Sequence, residues 1–227
     1  MFYVVATPIG NLKDISQRAL DTLSEVDFVL CEDTRNTRKL LSHFGINTKT
    51  LSFHAHSTAG EIERILGMLR DGKNLALVSD AGTPAISDPG SLLVRKIREN
   101  LPEVQVVSIP GASAVITALS AIGVPSSEFT FLGFVPHKKG RETFFKKISE
   151  IEMTVVFYES KHRILKTLES LEKYLPNRRV AVARELTKIF EEIIEGSASQ
   201  IKEKLLSDEN KQKGEFTVVV FPSTFQV

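Results

Sequence analysis

The 227-residue sequence has no tryptophan and a single cysteine, Cys31. One thiol excludes an internal disulfide framework and any cysteine-built metal site, and it fits a reducing compartment, so a cytoplasmic protein is expected. Cys31 lies in the apolar run DFVLCE, where a buried, inert thiol is expected instead of a nucleophile. Charge of one sign is missing too: 29 Lys and Arg face 28 Asp and Glu, a net charge of +1. A general positive field is therefore excluded, and any nucleic-acid partner has to be held by local basic patches. No apolar run reaches membrane-spanning length. The opening MFYVVATPIGNLKD has no basic segment ahead of its apolar residues, so it reads as a first strand and not as a signal peptide.

Several motifs are absent. No GxGxxG follows a strand-like segment. GMLRDGKN, residues 67–74, approaches a Walker A, but Asn74 stands where a hydroxyl would meet magnesium, and the segment ends a helix instead of opening one. PGASAV, residues 110–115, lacks the second glycine of a nucleophile elbow, so Ser113 is not expected to attack a substrate. His54 and His56 in HAH offer two imidazoles without an evident third ligand, and no metal is expected.

What is present is alternation. FYVVA, DFVLCE, KTLSFH, LALVS and VQVVSI read as strands, with segments of helical spacing between them. Asp14 and Asp88 suit helix N-caps, and Pro89 suits the first helical position. This order implies a mostly parallel sheet with helices on its faces. After the turn-rich GVPSSE the pattern restarts, and adjacent strand-like runs around Arg179–Gly196 imply a mixed sheet. The expected organisation is two α/β domains, residues 1–123 and 124–227.

Three loops follow apolar strands: ATPIGNL, SDAGTPAISDPG and IPGASA. Each is rich in Gly and Pro, and parallel strands bring their C-terminal ends to one edge, so the loops should converge on a small ligand read by backbone and short hydroxyls. CEDTRNTRKL places Glu32, Asp33 and Arg35 at the same edge, where helix capping and function are compatible. Basic clusters occur at Arg35, Arg38 and Lys39, in HKKGR (Lys138, Lys139, Arg141), and around Lys161; solvated helix faces are the plain alternative for each.

TPIGNLKDIS, CEDTRNTRKLL with FHAH, SDAGTPAISDPG, IPGASA, GFVPHKKGR, FYESKHR, RELTKIFEEIIEG and KGEFTVVV together resemble the RsmI-type ribosomal RNA small-subunit methyltransferases of the tetrapyrrole-methylase superfamily. The likeness runs from about Thr7 to Val220. It implies two α/β domains with a cofactor cleft between them, S-adenosylmethionine as methyl donor, a cytidine ribose 2′-hydroxyl in the decoding region of small-subunit ribosomal RNA as acceptor, and a homodimer. By the same likeness, Pro8, Asp80, Gly82, Thr83, Ile86, Pro110, Ala112 and Ser113 should line the cofactor site, with Phe157, Tyr158, Arg184, Glu185, Gly214 and Glu215 from the second domain. Either Asp80 or Asp88 is the counterpart of the superfamily's Gly-Asp-Pro aspartate. Glu32, Asp33, Arg35, His54, His56 and Glu159 are candidates for activating the hydroxyl, and Arg35, Arg38, Lys138, Lys139 and Arg141 for holding RNA. Many members carry a further helical module after the point where FPSTFQV ends this sequence. Methylation of a tetrapyrrole precursor or a protein residue is the alternative inside the superfamily, and a non-catalytic cofactor-binding protein is the alternative outside it.

Overall fold

Phe2–Val5 forms strand β1, and its pleat sends Phe2 and Val4 to one face and Tyr3 and Val5 to the other. That alternation organises the first of two units, Met1–Ser113 and Ala114–Val227, into which the computed structural model divides; residues 1–225 are described. In chain order the first unit continues with α1 (Gln17–Glu25), β2 (Phe28–Cys31), α2 (Thr34–His43), β3 (Lys49–Ser52), α3 (Ala59–Arg70), β4 (Leu75–Leu77), α4 (Gly90–Asn100) and β5 (Val106–Ile109). The five strands form one parallel sheet in the order β3-β2-β4-β1-β5.

The helices divide by direction of travel. Connections running toward β3 carry α1 and α2, whose Ala19, Leu23 and Leu41 pack with Val5, Val29 and Ala76. Connections running back carry α3 and α4, whose Leu66, Leu69, Leu93 and Ile97 pack with Phe2, Leu30 and Leu75. Right-handed crossovers require this division, and both sheet faces are covered. Cys31 is fully buried, and burial pushes its thiol above the usual range, so it is inert as expected.

Capping shifts two expectations: the N-cap of α4 is Pro89, which therefore precedes the first helical position, with Asp88 one residue before it. Asp14 sits inside a short 3-10 turn, Leu12–Asp14, whose cap is Asn11. The N-cap of α1 is Ser16, which accepts the Ala19 N–H.

The second unit holds α5 (Ala114–Ile122), β6 (Phe129–Phe134), α6 (Arg141–Glu150), β7 (Thr154–Ser160), α7 (Ile164–Tyr174), β8 (Val180–Arg184), β9 (Glu192–Gly196), α8 (Ala198–Leu206) and β10 (Glu215–Val220). Its sheet runs β6-β7-β10-β8-β9 and is mixed: β6 and β7 are parallel, and the other neighbours antiparallel. One face of that sheet packs Phe157, Val182, Phe216 and Val218 against α6, α7 and α8. The division between units falls at Ser113, ahead of the expected position after Gly123, because α5 packs on β10 and its Val115 backbone meets the Tyr158 side chain. Turn chemistry marks where a helix stops, whereas packing decides which core owns it.

Candidate active site

The first unit's parallel strands deliver every post-strand loop to one edge, and the central strand β4 carries the longest of them. Thr7, after β1, exchanges backbone hydrogen bonds with Gly82: the Thr7 N–H donates to the Gly82 carbonyl at 2.9 Å, and the Gly82 N–H donates back at 3.1 Å. The buried Thr7 hydroxyl also donates to the Ser79 carbonyl at 3.1 Å. On the other side of β1, the Ala6 N–H donates to the Ile109 carbonyl at 3.1 Å. Gly111 then lies so close that a Cβ on it would sit 2.8 Å from the Ala6 Cβ, which is why glycine occupies that position. The three loops are one structure.

The β4 loop is strained where it turns. Ala85 and Ser87 hold left-handed backbone at φ 69° and 64°, which non-glycine residues seldom adopt. Asp88 holds the turn: its Oδ1 accepts the Ala85 N–H at 2.9 Å and the Gly90 N–H at 2.7 Å. Its Oδ2 is buried without a partner, an acceptor with nothing to accept. Pro8 and Gly82 are buried and form the floor, Thr83, Ala112 and Ser113 are half-buried, and Asp80, Ile86 and Pro110 stand exposed at the rim. All eight candidates expected from the first half are therefore gathered on three interlocked loops.

The other flank of the β4 loop faces α2. Although Asp80 is exposed as a residue, its carboxyl is pushed above the usual range, first by partial burial and then by the charge of Asp33. The Asp33 N–H and the Asn36 amide pull the other way. Asp33 itself is the N-cap of α2, its carboxylate accepting the Arg35 N–H at 2.8 Å. Glu32 and Arg35 are exposed beside it.

Beyond β3, the His54 N–H donates to the Ser57 hydroxyl at 3.1 Å, and the His54 Nδ1 accepts the His56 N–H at 3.2 Å. An accepting Nδ1 requires the neutral ring's proton on Nε2, so His54 presents a donor outward, while the His56 ring is exposed and engaged in no side-chain bond among the described residues. The two imidazole centroids are 6.2 Å apart. No group of three or more His, Cys, Asp or Glu placed to hold a metal occurs among the described residues.

In the second unit, some expected residues are scaffolding. The Phe157 side chain is fully buried and packs edge-on to Phe144, so it has no surface to offer a ligand; the pleat of β7 turns it to the helix-covered face. Its neighbour Tyr158 points the opposite way, against Phe131 and Phe134. The Arg184 guanidinium is buried and consumed by the carbonyls of Lys213, Phe190 and Asn210 at 2.8, 3.1 and 2.7 Å. It braces the chain around Glu185, whose backbone is left-handed at φ 51°. Burial pushes the Glu185 carboxyl up, but bonds from Lys188 and from the Glu215 N–H, both at 2.9 Å, together with the nearby charges of Lys188 and Arg184 bring it below the usual carboxylate range. A Cβ on Gly214 would come within 2.5 Å of Glu185, so the four residues Arg184, Glu185, Gly214 and Glu215 do form one cluster.

Arg141 and Glu159 also correct expectation. Glu159 is buried, accepting the Thr167 hydroxyl at 2.6 Å and the Ser160 N–H at 2.7 Å and pairing with Arg163 at 2.8 Å and Arg141 at 3.7 Å. The Glu159 carboxylate is thus an internal tie and not an exposed base, and the Arg141 guanidinium is occupied internally, bonding Thr167 and lying over Phe145. Lys138 and Lys139 remain exposed. Sequence reading missed Thr7 and Asn36. Thr7 stands in the quoted TPIG but carries no charge to draw notice, and Asn36 matters only because α2 begins beside the β4 loop.

The model of the Tetrapyrrole (Corrin/Porphyrin) Methylases matches residues 1–202. Ribosomal RNA small subunit methyltransferase I of Haemophilus influenzae is 47% identical over 97% of this chain and 78% of its own length. The protein of that name from Escherichia coli O157:H7 is 48% identical over 96% of this chain and 76% of its own. Among solved structures, diphthine synthase superposes with a TM-score of 0.75 at 16% identity, over 99% of this chain and 90% of that one. The methyltransferase CobJ gives 0.71 at 17%, over 100% and 95%. These two likenesses carry the fold alone, while the family model and the closely similar sequences carry more: the chain belongs to the tetrapyrrole (corrin/porphyrin) methylases, on the branch whose members are named ribosomal RNA small subunit methyltransferase I.

Proposed function

We propose that this protein transfers a methyl group from S-adenosylmethionine to a cytidine ribose 2′-hydroxyl in the decoding region of small-subunit ribosomal RNA. One observation carries the reading. The β4 loop is bonded to the β1 loop on one side and faces the polar start of α2 on the other, so a donor pocket and an acceptor-side rim adjoin on a single sheet edge. The donor, when bound, supplies an electrophilic methyl carbon on a positively charged sulfur.

What the protein must add is placement. Carbonyls on bent backbone suit a cation that loses its charge in the transition state, since a strong fixed anion would favour the ground state. The residues fit: the orphaned Asp88 Oδ2 is an acceptor without a donor, and Pro8, Gly82, Thr83, Ala112 and Ser113 put small residues on the three interlocked loops. Asp80, Ile86 and Pro110 complete the rim. From the second unit we retain Tyr158, Glu185, Gly214 and Glu215, with Phe157 and Arg184 as supports. Holding the acceptor oxygen in line accounts for much of the acceleration.

The ribose hydroxyl needs its proton taken or its developing charge stabilised. Glu32 and His56 are free to accept a proton; the His54 Nε2–H is a donor and suits the oxygen that becomes negative. Arg35 is exposed in the first turn of α2, with no carboxylate paired to it among the described residues, and suits RNA phosphate, as do Arg38, Lys138 and Lys139. Arg35→Ala should weaken RNA retention on a filter by about tenfold, of the order of a good phosphate contact, with calorimetric uptake of S-adenosylmethionine unchanged. A homodimer in the cytoplasm is part of the reading, supported by exposed apolar side chains at Ile189 and Phe190; sedimentation at micromolar concentration tests it.

Tritium transfer from labelled donor to deproteinised and to intact small subunits is the deciding experiment. Label in RNA, recovered after alkaline hydrolysis as a resistant dinucleotide, supports the proposal. Label only in a tetrapyrrole or a protein supports the alternative within the family. No label in any acceptor, with the donor bound, means a binding protein without catalysis.

A further inference from the structure

The first unit has a concave feature away from its loop edge. A groove of about 470 Å³ lies along the edge strand β3 and the last turns of α2. Phe28, Leu41 and Ile46 contribute apolar surface to it, and Arg38 and Lys49 its two cations. No carboxylate lines it. Volume and mixed lining match a site for one small organic group carrying negative charge.

Several other cations of the chain are tied to carboxylates. Lys146, Arg163, Arg179, Lys188 and Lys202 each have a carboxylate partner. Arg38 and Lys49 have none among the described residues, and Asp27, next in sequence to the groove residue Phe28, is taken by Lys73 and by the Asn74 N–H. The Arg38 Nε donates to the Thr50 hydroxyl at 3.0 Å, which aims the guanidinium across the groove and leaves its terminal nitrogens uncommitted. An unpaired, oriented arginine beside an apolar wall is arranged for phosphate and not for internal stability.

Topology links this groove to the candidate active site. Helix α2 starts at the loop edge beside Asp33 and ends where β3 begins, at the opposite edge. Arg35 marks its first turn, Arg38 its second, and Lys49 lies past its end. Arg35, Arg38 and Lys49 thus mark points along the side of the unit from the loop edge to the opposite edge.

We propose that this groove is a subsite for a nucleotide of the bound RNA a few positions away from the methylated one: its base rests on Phe28 and Ile46, and its phosphate is held by Arg38 and Lys49. The inference rests on RNA being the substrate. Single-stranded RNA is bound elsewhere by this combination of stacked or packed bases with cationic backbone contacts. The alternative occupant of an open edge strand is another strand, from a second copy.

The test uses the full chain and deproteinised small-subunit ribosomal RNA in filter binding across a salt series. Lys49→Glu should weaken binding at least tenfold and reduce the steepness of the salt dependence by about one contact. Ser42→Trp fills the groove without changing its charge, so it should weaken binding while leaving the salt dependence intact. Arg95→Ala, on the far helix α4, is the control and should bind as the parent does. Calorimetric uptake of S-adenosylmethionine and thermal unfolding should be unchanged in all three. Parental RNA affinity in both Lys49→Glu and Ser42→Trp overturns the subsite, as does a loss of self-association in sedimentation without a change in RNA affinity, which assigns the groove to a second copy. A parent chain that binds the donor but no RNA overturns this inference and the proposed substrate together. A parent that methylates RNA, with unaffected variants, overturns the subsite alone.

Discussion

Asp80 is costly where it stands. Its proton is bound more tightly in the folded than in the unfolded chain, because burial and Asp33 disfavour the carboxylate. The folded state therefore gains from Asp80 at low pH, and that gain is lost as pH rises through its elevated titration range. Asp80→Asn removes the penalty, so its melting temperature should exceed the parent's at neutral pH, and the difference should shrink as pH falls through the carboxylate range. Donor uptake, measured by calorimetry on the same variant, should fall, the usual exchange of stability against function at a site. Equal melting temperatures at neutral pH would show that the Asp33 N–H and Asn36 offset the burial fully.

Elements are tied together in the second unit by one buried carboxylate. Glu159 on β7 reaches Arg141 at the start of α6, Arg163 at the N-cap of α7 and Thr167 within α7. Removing its charge leaves two largely buried guanidinium groups without a counter-charge, an effect of about 3–5 kcal/mol when one member of such a pair is lost. Glu159→Gln should therefore lower the urea midpoint sharply while leaving the first unit's donor loops unaltered in composition. This network explains part of what sequence reading could and could not reach. FYESKHR and HKKGR are legible as polar motifs at strand and helix ends, yet nothing in linear order says that Glu159 and Arg141 neutralise one another. Strands and helices were legible because apolar periodicity is local. The partners of each charge were not, because pairing depends on where β6 and β7 lie side by side. The same holds for α5: no local signal assigns it to a core, and its packing on β10 places it in the second.

For the whole molecule, the near-zero net charge sets the expectation for RNA. With no general field, affinity comes from a few contacts, of which Arg35, Arg38, Lys49 and the Lys138–Lys139 pair are exposed and open to solvent. Engaging about four phosphates on a single strand gives a slope of roughly −3 in log affinity against log salt. A filter-binding series should show that shallow dependence; a slope several times steeper would require a basic surface that the chain does not carry. The three Gly- and Pro-rich loops at the strand ends were readable from sequence. Their latch, Thr7 on Gly82, and their strain at Ala85 and Ser87 needed coordinates, since backbone hydrogen bonds and dihedral angles leave no mark on residue type.

The order of strands has a consequence for how such a scaffold diversifies. Because β4 stands between β1 and β2, the first unit's proposed donor loops hang from β4, β1 and β5, while its proposed acceptor-side residues hang from β2 and β3. Replacement of the second group leaves the Thr7–Gly82 latch untouched, so one half can be kept while the other is exchanged to suit a new recipient.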